Sequence, residues 1–555
     1  MKTKTWIKSG DPWIWMIGGA LGISLIMVVG LLTLIAVRGF AHFWPSPLIE
    51  TTVTLAEGGT TSVLGEVVET ETLPAQRIRE SGVDIPESEV LVTRHLFKIG
   101  NREINSRDFV WHLEAQMGEW SYPQAAVMLE RRKGGNFYGF AERLEIDGQG
   151  IAEGDSLWSD LQEMIASKSA LAEEILEIEN VEIGRINKGL EELRLIERGL
   201  DYDNVTGDAR QTAMADVAAR RADLEADYEV MRTERNRLQQ ESRRGVLIAS
   251  TVNGQSVTIP VVNIIKASKN NALGLGGKLA FYGVSIKDFL TGFPREANTE
   301  GGIFPAIFGT VTMVLIMSVL VTPFGVLAAI YLREYATQGP FLKAIRVSVY
   351  NLAGVPSIVF GVFGLGFFVY LLGGSIDNLF FPERLPAPTF GTPGLFWASL
   401  TLALLTLPVV IVSTEEGLAR IPRTIREGSL ALGATKWETL WKVVVPLSAP
   451  AMMTGLILAV ARAAGEVAPL MLVGVVKLAP SLPVDGEFPY VHLERKIMHL
   501  GFHIYDVGFQ SPNVEAARPL VYATALTLVV LILILNLTAI SIRNRLREKY
   551  RSQGD

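Results

Sequence analysis

Residues 415–446 read EEGLARIPRTIREGSLALGATKWETLWKVVVP and lie between two long uncharged runs. Thr435 and Glu438 have the spacing of a capping box, in which a hydroxyl and a carboxylate satisfy free amides at the start of a helix. Gly433, two residues before Thr435, suits the left-handed residue that ends a preceding helix. The stretch therefore predicts two short helices that meet at a glycine corner, with the second helix leading into the next apolar run.

Long uncharged runs extend outward from this stretch in both directions. An α-helix needs about 20 mostly apolar residues to cross the hydrocarbon core of a bilayer, so runs of this length predict membrane-spanning helices. Pro356 lies within the third run and is expected to kink or interrupt that helix. The chain has six such runs, at 12–37, 301–332, 347–376, 385–414, 443–461 and 519–542.

The composition divides the chain into two parts. Residues 39–300 carry 28 Lys and Arg against 42 Asp and Glu, whereas the remaining residues carry 23 against 16. An acidic soluble domain is therefore predicted to be inserted into a basic membrane domain, made of 1–38 and 301–555. The chain has no cysteine, which excludes a disulfide framework and thiolate metal sites. A net charge of −7 argues against a nucleic-acid partner.

Basic residues are concentrated in the short segments 1–12, 333–346, 415–442 and 543–555. Cytoplasmic loops of membrane proteins carry an excess of Lys and Arg, so these segments are predicted to be cytoplasmic. Both termini are then cytoplasmic and the insert 39–300 is extracytoplasmic. The first run is too long for the apolar region of a signal peptide, and we expect it to remain as an uncleaved anchor in the membrane.

The insert is predicted to be an α+β domain. Asn253-Gly254 separates two β-rich segments and predicts a hairpin turn. Residues 155–243 predict an antiparallel coiled-coil hairpin that protrudes from this β-containing base, and the arm is either a contact for another protein or a solvated spacer. Apolar residues recur every seven positions in its second half, at Val217, Leu224, Met231 and Leu238.

Arg462 and Glu466 lie four residues apart in the sequence AVARAAGEVAPLMLVG. This spacing predicts that both charges lie on one face of a helix, away from its end. Each charge costs about 2.5–3.5 kcal/mol near the bilayer centre, so such residues usually face a water-filled path or a partner helix. The planar guanidinium of Arg462 suits an oxyanion. The alternative is a structural ion pair, and Ser357 is a further candidate for the same path.

The stretch quoted first resembles the EAA loop of ABC importer permeases. Glu427-Gly428-Ser429 is followed by Gly433 and by Val443-x-Val445-Pro446, which fits the consensus E-A-A, three residues, G, nine residues, I-x-L-P. Gly428 and Ser429 replace the two alanines and are likewise small. In that family the loop docks in a cleft of the ATPase subunit.

The sequence R-A-x-G-E-x-A-P at 462–469 and NLAGVPSIVFG at 351–361 resemble the phosphate permeases of the A-subunit type. The resemblance covers about 1–38 and 301–555, and typical members lack the insert 39–300. It implies a mainly α, six-helix type I importer domain in which Arg462 and Glu466 contact phosphate.

The resemblance also implies partners. They are a second related permease subunit, a pair of ATPase subunits and a periplasmic phosphate-binding protein. ATP and Mg would be bound by the ATPase, so we expect no cofactor and no catalysis on this chain. A permease for another oxyanion, sulfate or molybdate, remains open. So does a signalling or remodelling protein of the cell envelope that uses the periplasmic coiled coil.

Overall fold

The computed structural model describes residues 9–54, 58–80, 85–105, 107–511 and 514–551. The chain forms two compact units. The membrane unit contains Met1–Phe43 and Lys287–Asp555, and the inserted unit contains Trp44–Ile286. The inserted unit therefore begins later and ends earlier in the sequence than the predicted insert 39–300.

The membrane unit contains the helices that the uncharged runs predict. Among the residues that the structure describes, six helices are long and apolar enough to cross a membrane. Shorter helices precede or connect them, at Pro340–Leu352, Arg423–Ala431, Leu470–Val473 and Leu500–Tyr505. The six, called spans 1 to 6 below, are Trp13–Ala41, Phe304–Tyr335, Ser357–Phe380, Leu395–Ala419, Lys436–Gly465 and Ala517–Glu548.

The third predicted run began too early. Pro340–Leu352 is a separate helix, and span 3 begins at Ser357, directly after Pro356. Because proline has no backbone N–H and disfavours helical backbone in the residue before it, the helix cannot continue through this position. The expected interruption at Pro356 is confirmed.

Spans 2, 4 and 5 form the core of the membrane unit, where Met313, Leu402 and Ala459 are fully buried. Small residues let these helices approach closely. A side-chain carbon at Gly455 in span 5 would lie 2.7 Å from the Cβ of Ser413 in span 4, so a larger residue would push the two helices apart.

The inserted unit is built on antiparallel strands. One sheet orders its strands Ile49–Thr54, Thr60–Pro74, Leu91–Lys98 and Phe109–Leu113. The predicted hairpin is present, since Val246–Ser250 pairs with Ser256–Pro260 around Gly254, whose φ is +76°. The second sheet contains Val127–Arg131, Phe137–Ile146, Gln149–Glu153, Val246–Ser250, Ser256–Pro260 and Ile264–Ser268.

A long helical arm leaves this second sheet. It runs out through Leu157–Glu177, a π-helical turn at Ile178–Glu182 and Ile183–Tyr202, and it returns through Asp208–Ser242. The two halves are antiparallel, because Glu179 lies 3.8 Å from Arg235 whereas Glu197 lies 2.8 Å from Arg221. The residues that the seven-residue repeat identifies are buried or half-buried between the halves: Val217, Leu224, Met231 and Leu238.

The π-helical turn explains an irregularity in the first half of the arm. Ile178 and Ile186 are both buried, although they lie eight residues apart rather than seven. A π-helical turn accommodates one extra residue within an α-helix. The turn therefore keeps both side chains on the face that contacts the returning helix.

Candidate functional site

Span 5 ends at the charged pair rather than continuing past it. Its last helical residue is Gly465, and Glu466 follows with extended backbone at φ −80° and ψ 135°. The expectation that neither charge lies at a helix end was wrong. Gly465 and Pro469 flank the break, and both residue types disfavour a continuing helix. Arg462 therefore lies in the last turn of span 5, and Glu466 is the first residue beyond it.

Arg462 and Glu466 make a loose ion pair. The Nε of Arg462 lies 3.5 Å from Oε1 of Glu466, and the two side chains are 34% and 21% exposed. A paired guanidinium at this distance is not held in the tight, two-bond geometry that arginine forms with a carboxylate. Donor groups of Arg462 therefore remain accessible to a small anion.

The chain beyond Glu466 packs against span 3. A side-chain carbon at Gly361 would lie 2.7 Å from the Cα of Pro469. Ser357 lies one helical turn before Gly361 and is half-buried. Within the part of the chain that the structure describes, no hydrogen bond or ion pair joins Ser357 to Arg462 or Glu466. The structure thus brings Arg462 and Glu466 together and places Ser357 on a neighbouring helix.

The loop of 415–446 has the two helices that its sequence predicts. The first is Arg423–Ala431, and Gly433 follows with φ +89°. Thr435 and Glu438 form the capping box, in which the amide of Glu438 donates to Oγ1 of Thr435 at 3.2 Å and the amide of Thr435 donates to Oε2 of Glu438 at 3.0 Å. The predicted corner is confirmed.

Pro446 lies just after a π-helical turn at Leu440–Val444 within span 5. Proline has no N–H to donate to the carbonyl four residues earlier, and its ring crowds that carbonyl. A widened turn immediately before Pro446 relieves this conflict, so span 5 continues as one long helix from Lys436.

Glu427 and Gly428 lie on the exposed side of the first loop helix. A side-chain carbon at Gly428 would have no neighbour within 4 Å, and Leu432 is 91% exposed. Ser429 faces the second helix, where its Oγ lies 2.9 Å from Oγ1 of Thr439. The C-terminal half of the helix and the residue after it thus expose Glu427, Gly428 and Leu432 to contact by another protein.

A cationic side chain that the sequence analysis missed anchors the same helix. Nη2 of Arg426 lies 2.9 Å from Oε1 of Glu334 at the end of span 2, and it donates to the carbonyl of Leu418 at 2.7 Å. A second pair, Arg346 with Glu415 at 2.7 Å, lies on neighbouring elements. The sequence shows only that opposite charges occur near the ends of separate uncharged runs. This pattern does not predict which of these residues form the two ion pairs.

The sequence analysis also missed a buried polar cluster outside the spans. Asp506 is 1% exposed, its Oδ1 lies 3.1 Å from Nζ of Lys477, and its Oδ2 accepts from Nδ2 of Asn298 at 3.2 Å. Burial lowers the pKa of nearby His503 to about 4, although Asp506 acts to raise it and Lys477 to lower it. The cluster joins the loop before span 2 to the loops between spans 5 and 6.

Comparison with known proteins identifies the class of membrane unit that these helices form. Residues 321–551 match the family described as binding-protein-dependent transport system inner membrane component. The chain belongs to this family, whose members are multi-span permease subunits of ABC transporters.

Curated relatives include several phosphate transport system permease proteins named PstA or PstA 1. The Mycobacterium leprae protein is 37% identical over 198 residues, which are 35% of this chain and 59% of the relative. The PstA 1 of Mycobacterium tuberculosis H37Rv is 35% identical over 44% of this chain and 70% of the relative. The Yersinia pestis protein is 31% identical over 46% of this chain and 77% of the relative. All of these matches leave more than half of this chain uncovered.

Solved structures match the chain at lower sequence identity than these relatives. The chain is 17% identical to a chain of the inward-facing MetNI methionine ABC transporter, over 43% of this chain and 94% of that chain, with a TM-score of 0.32. It is 16% identical to a chain of a bacterial alginate ABC transporter, over 46% and 82%, with a TM-score of 0.33.

Proposed function

We propose that this chain is a permease subunit of an ATP-driven importer that carries inorganic phosphate inward across the inner membrane. The observation that carries the proposal is the Arg462–Glu466 pair, held loosely at the end of an interrupted span. Support for the substrate comes from the names of relatives that are 31–37% identical to the chain.

Arg462 supplies the attraction for the anion. Its guanidinium stays charged at any physiological pH and offers parallel N–H donors to phosphate oxygens. In the absence of anion, Glu466 partly neutralises this charge at 3.5 Å. Phosphate enters by replacing part of that contact, and the carboxylate then favours its release.

Glu466 supplies selectivity. Phosphate keeps at least one proton near neutral pH, so it can donate a hydrogen bond to a carboxylate, whereas sulfate and molybdate are then fully deprotonated and cannot. A carboxylate beside the site repels an anion that offers no proton. Glu466 therefore favours phosphate over the two competing oxyanions.

The loop helix at Arg423–Ala431 couples transport to ATP hydrolysis on a partner subunit, which binds the ATP and Mg. Exposed Glu427 and Gly428 form its contact surface, and span 5 continues from the corner through Pro446 as one long helix. Closure of the ATPase pair would move this loop and switch the spans between two arrangements. A second permease subunit completes the path, and a periplasmic phosphate-binding protein delivers the anion.

The orientation is part of the same proposal. Both termini and the 415–446 loop are cytoplasmic, and the inserted unit is periplasmic, because the basic segments define the cytoplasmic side. The helical arm of the inserted unit contacts another protein rather than phosphate, since the insert carries an excess of acidic residues.

Uptake of radiolabelled phosphate by cells that depend on this chain tests the proposal. Arg462→Ala is expected to reduce uptake about 100-fold, since hydrogen bonds to a charged group contribute about 1.5–3 kcal/mol each. Arg545→Ala is a matched control, because Arg545 is exposed near the end of span 6 and lies outside the pair. Normal uptake in both Arg462→Ala and Glu466→Ala would remove the pair from the path.

Selectivity separates phosphate from the competing oxyanions. With Glu466→Gln, competition by sulfate and molybdate against labelled phosphate is expected to rise, because the amide no longer repels them. If the unaltered protein takes up sulfate or molybdate in preference to phosphate, the substrate assignment is wrong, although the permease assignment stands.

A further inference from the structure

A cavity of about 530 Å³ lies between the ends of spans 4 and 6 and the middle of span 5, beside the 415–446 loop. Arg420 follows span 4, and Arg543 and Arg547 lie in the last turns of span 6. All three line the cavity. It is separate from the Arg462–Glu466 pair, which lies at the end of span 5.

The three arginines are available to an anion. Arg420 and Arg547 are exposed, and Arg543 is half-buried with Nη1 3.5 Å from Oγ1 of Thr454. Over the described ranges, none of these guanidinium groups lies within 4.0 Å of a carboxylate. Three like charges around one cavity repel each other, and a bound oxyanion would relieve this repulsion.

The backbone adds to this positive environment. Pro422 lines the cavity and directly precedes the loop helix Arg423–Ala431, which begins without a capping side chain. The first amides of a helix carry a partial positive charge and bind phosphate or carboxylate when no side chain occupies them. The helix start and the three arginines therefore favour the same kind of ligand.

The remaining lining of the cavity is apolar, with Ile421 and Ile425 from the loop and Leu447, Pro450 and Ala451 from span 5. Arg543 is also the first charge after the uncharged run 519–542, so it marks the depth of the lipid headgroups. Basic pockets between helices at this level bind phosphorylated lipid headgroups, and an apolar floor accommodates the adjoining carbon atoms.

We propose that this cavity binds a phosphate group through Arg420, Arg543 and Arg547. The group belongs either to an anionic phospholipid or to free inorganic phosphate. Since Ile421 and Ile425 belong to the loop that contacts the ATPase in the proposed function, the occupant also holds this loop in place. The binding itself does not depend on that function.

Binding to the purified full-length chain in nanodiscs tests the proposal. One arm compares nanodiscs of phosphatidylcholine alone with nanodiscs of phosphatidylcholine and phosphatidylglycerol in equal parts. Native mass spectrometry then counts the phosphatidylglycerol molecules that the chain retains. The other arm measures equilibrium binding of radiolabelled inorganic phosphate on an Arg462→Ala background, so that the transport path does not contribute.

The double variant Arg420→Gln/Arg543→Gln is expected to lose about 30-fold in affinity, because each basic side chain near an anionic surface contributes about a fivefold gain. Arg545→Gln is the matched control, since Arg545 is exposed on the same helix but does not line the cavity. Arg420→Lys/Arg543→Lys keeps the charge and should keep most of the binding.

The two arms identify the source of the phosphate group. Retention of phosphatidylglycerol alone assigns a lipid headgroup, and saturable binding of inorganic phosphate alone assigns the free anion. Equal binding by the glutamine double variant and the Arg545→Gln control overturns the proposal, as does an absence of both ligands from the unaltered chain. If the double variant does not purify, the single Arg543→Gln variant is compared with the same control.

Discussion

The contact between Arg426 and Glu334 is expected to hold the loop helix against the end of span 2. Replacing Arg426 by alanine removes an ion pair at 2.9 Å and a hydrogen bond of 2.7 Å to the carbonyl of Leu418. It leaves the carboxylate of Glu334, which is only 13% exposed, without its cation. The helix Arg423–Ala431 should then move away from its position beside span 2.

The magnitude follows from how far the two groups are withdrawn from water. Removing one partner of a fully buried pair costs about 3–5 kcal/mol, and an exposed pair contributes at most about 1 kcal/mol. The side chains of Arg426 and Glu334 are 19% and 13% exposed, so the pair lies nearer the buried limit. A cost of about 2–3 kcal/mol corresponds to a shift of about 30- to 150-fold in the equilibrium between the docked and the displaced helix.

Reconstituted transporter provides the assay, with ATP hydrolysis and substrate uptake measured on the same vesicles. Arg426→Ala is expected to reduce uptake per ATP hydrolysed more than tenfold, because in the proposed coupling role a displaced helix no longer transmits movement of the ATPase. Arg423→Ala is the matched control, since Arg423 is exposed on the same helix. Normal coupling in Arg426→Ala would refute the anchoring role.

A double-mutant cycle separates the direct contact from a general disturbance of the loop. If Arg426 acts through Glu334, the effects of Arg426→Ala and Glu334→Ala on coupling should not add, and their interaction should exceed about 1 kcal/mol. Additive effects would show that the two residues act independently, whatever the distance between them.

Three further predictions concern stability, each measured by thermal unfolding in detergent. Burial lowers the pKa of His499 and of His503 to about 4, so the unfolded chain takes up protons that the folded chain does not as the pH falls from about 6.5 to 4. The free energy of unfolding should therefore be highest above pH 6.5 and fall as the pH is lowered from 6.5 to 4. His499→Asn keeps an acceptor for the amide of Gly501 and should make this fall with pH shallower. An unchanged dependence of stability on pH would contradict the prediction. Asp377→Ala should cost about 3 kcal/mol, because this buried carboxylate accepts from the amides at 390 and 391, and a loss no greater than that of an exposed site would contradict it. Gly433→Ala should cost about 1–2 kcal/mol through its φ of +89°, and no loss would mean that the corner readily rearranges.

Local patterns of sequence predicted much of the membrane unit. The uncharged runs located six spans, and Gly433, Thr435 and Glu438 located the loop corner, because caps and helix lengths depend on neighbouring residues. The predicted bounds were wrong where an uncharged run extended beyond the helix that forms. Span 3 begins at Ser357, ten residues after the start of the uncharged run. The apolar composition of the run does not indicate that the chain before Pro356 belongs to a separate helix.

Contacts between distant segments were not predictable in the same way. Arg426 lies in the loop helix and Glu334 at the end of span 2, and several acidic residues could have paired with Arg426 on sequence grounds alone. The positions of Lys477 and Asp506 likewise depend on how loops fold back on the spans. Of the candidate path residues, the spacing of Arg462 and Glu466 predicted their proximity, whereas it did not reveal that the helix ends between them.

In the proposed function, the end of span 5 at Gly465 affects how strongly Arg462 can hold an anion. The last carbonyls of span 5 carry a partial negative charge, and Arg462 lies in the last turn, where this charge stabilises a cation. The positive charge of Arg462 is therefore partly neutralised by two groups, the helix terminus and Glu466. An entering anion is attracted only by the part of this charge that the two groups leave uncompensated. A helix continuing past Glu466 would remove the first of these and let the same arginine bind the anion more tightly. In the proposed function the site must release its substrate to the other side, so the break at Gly465 would favour passage of the anion over its retention.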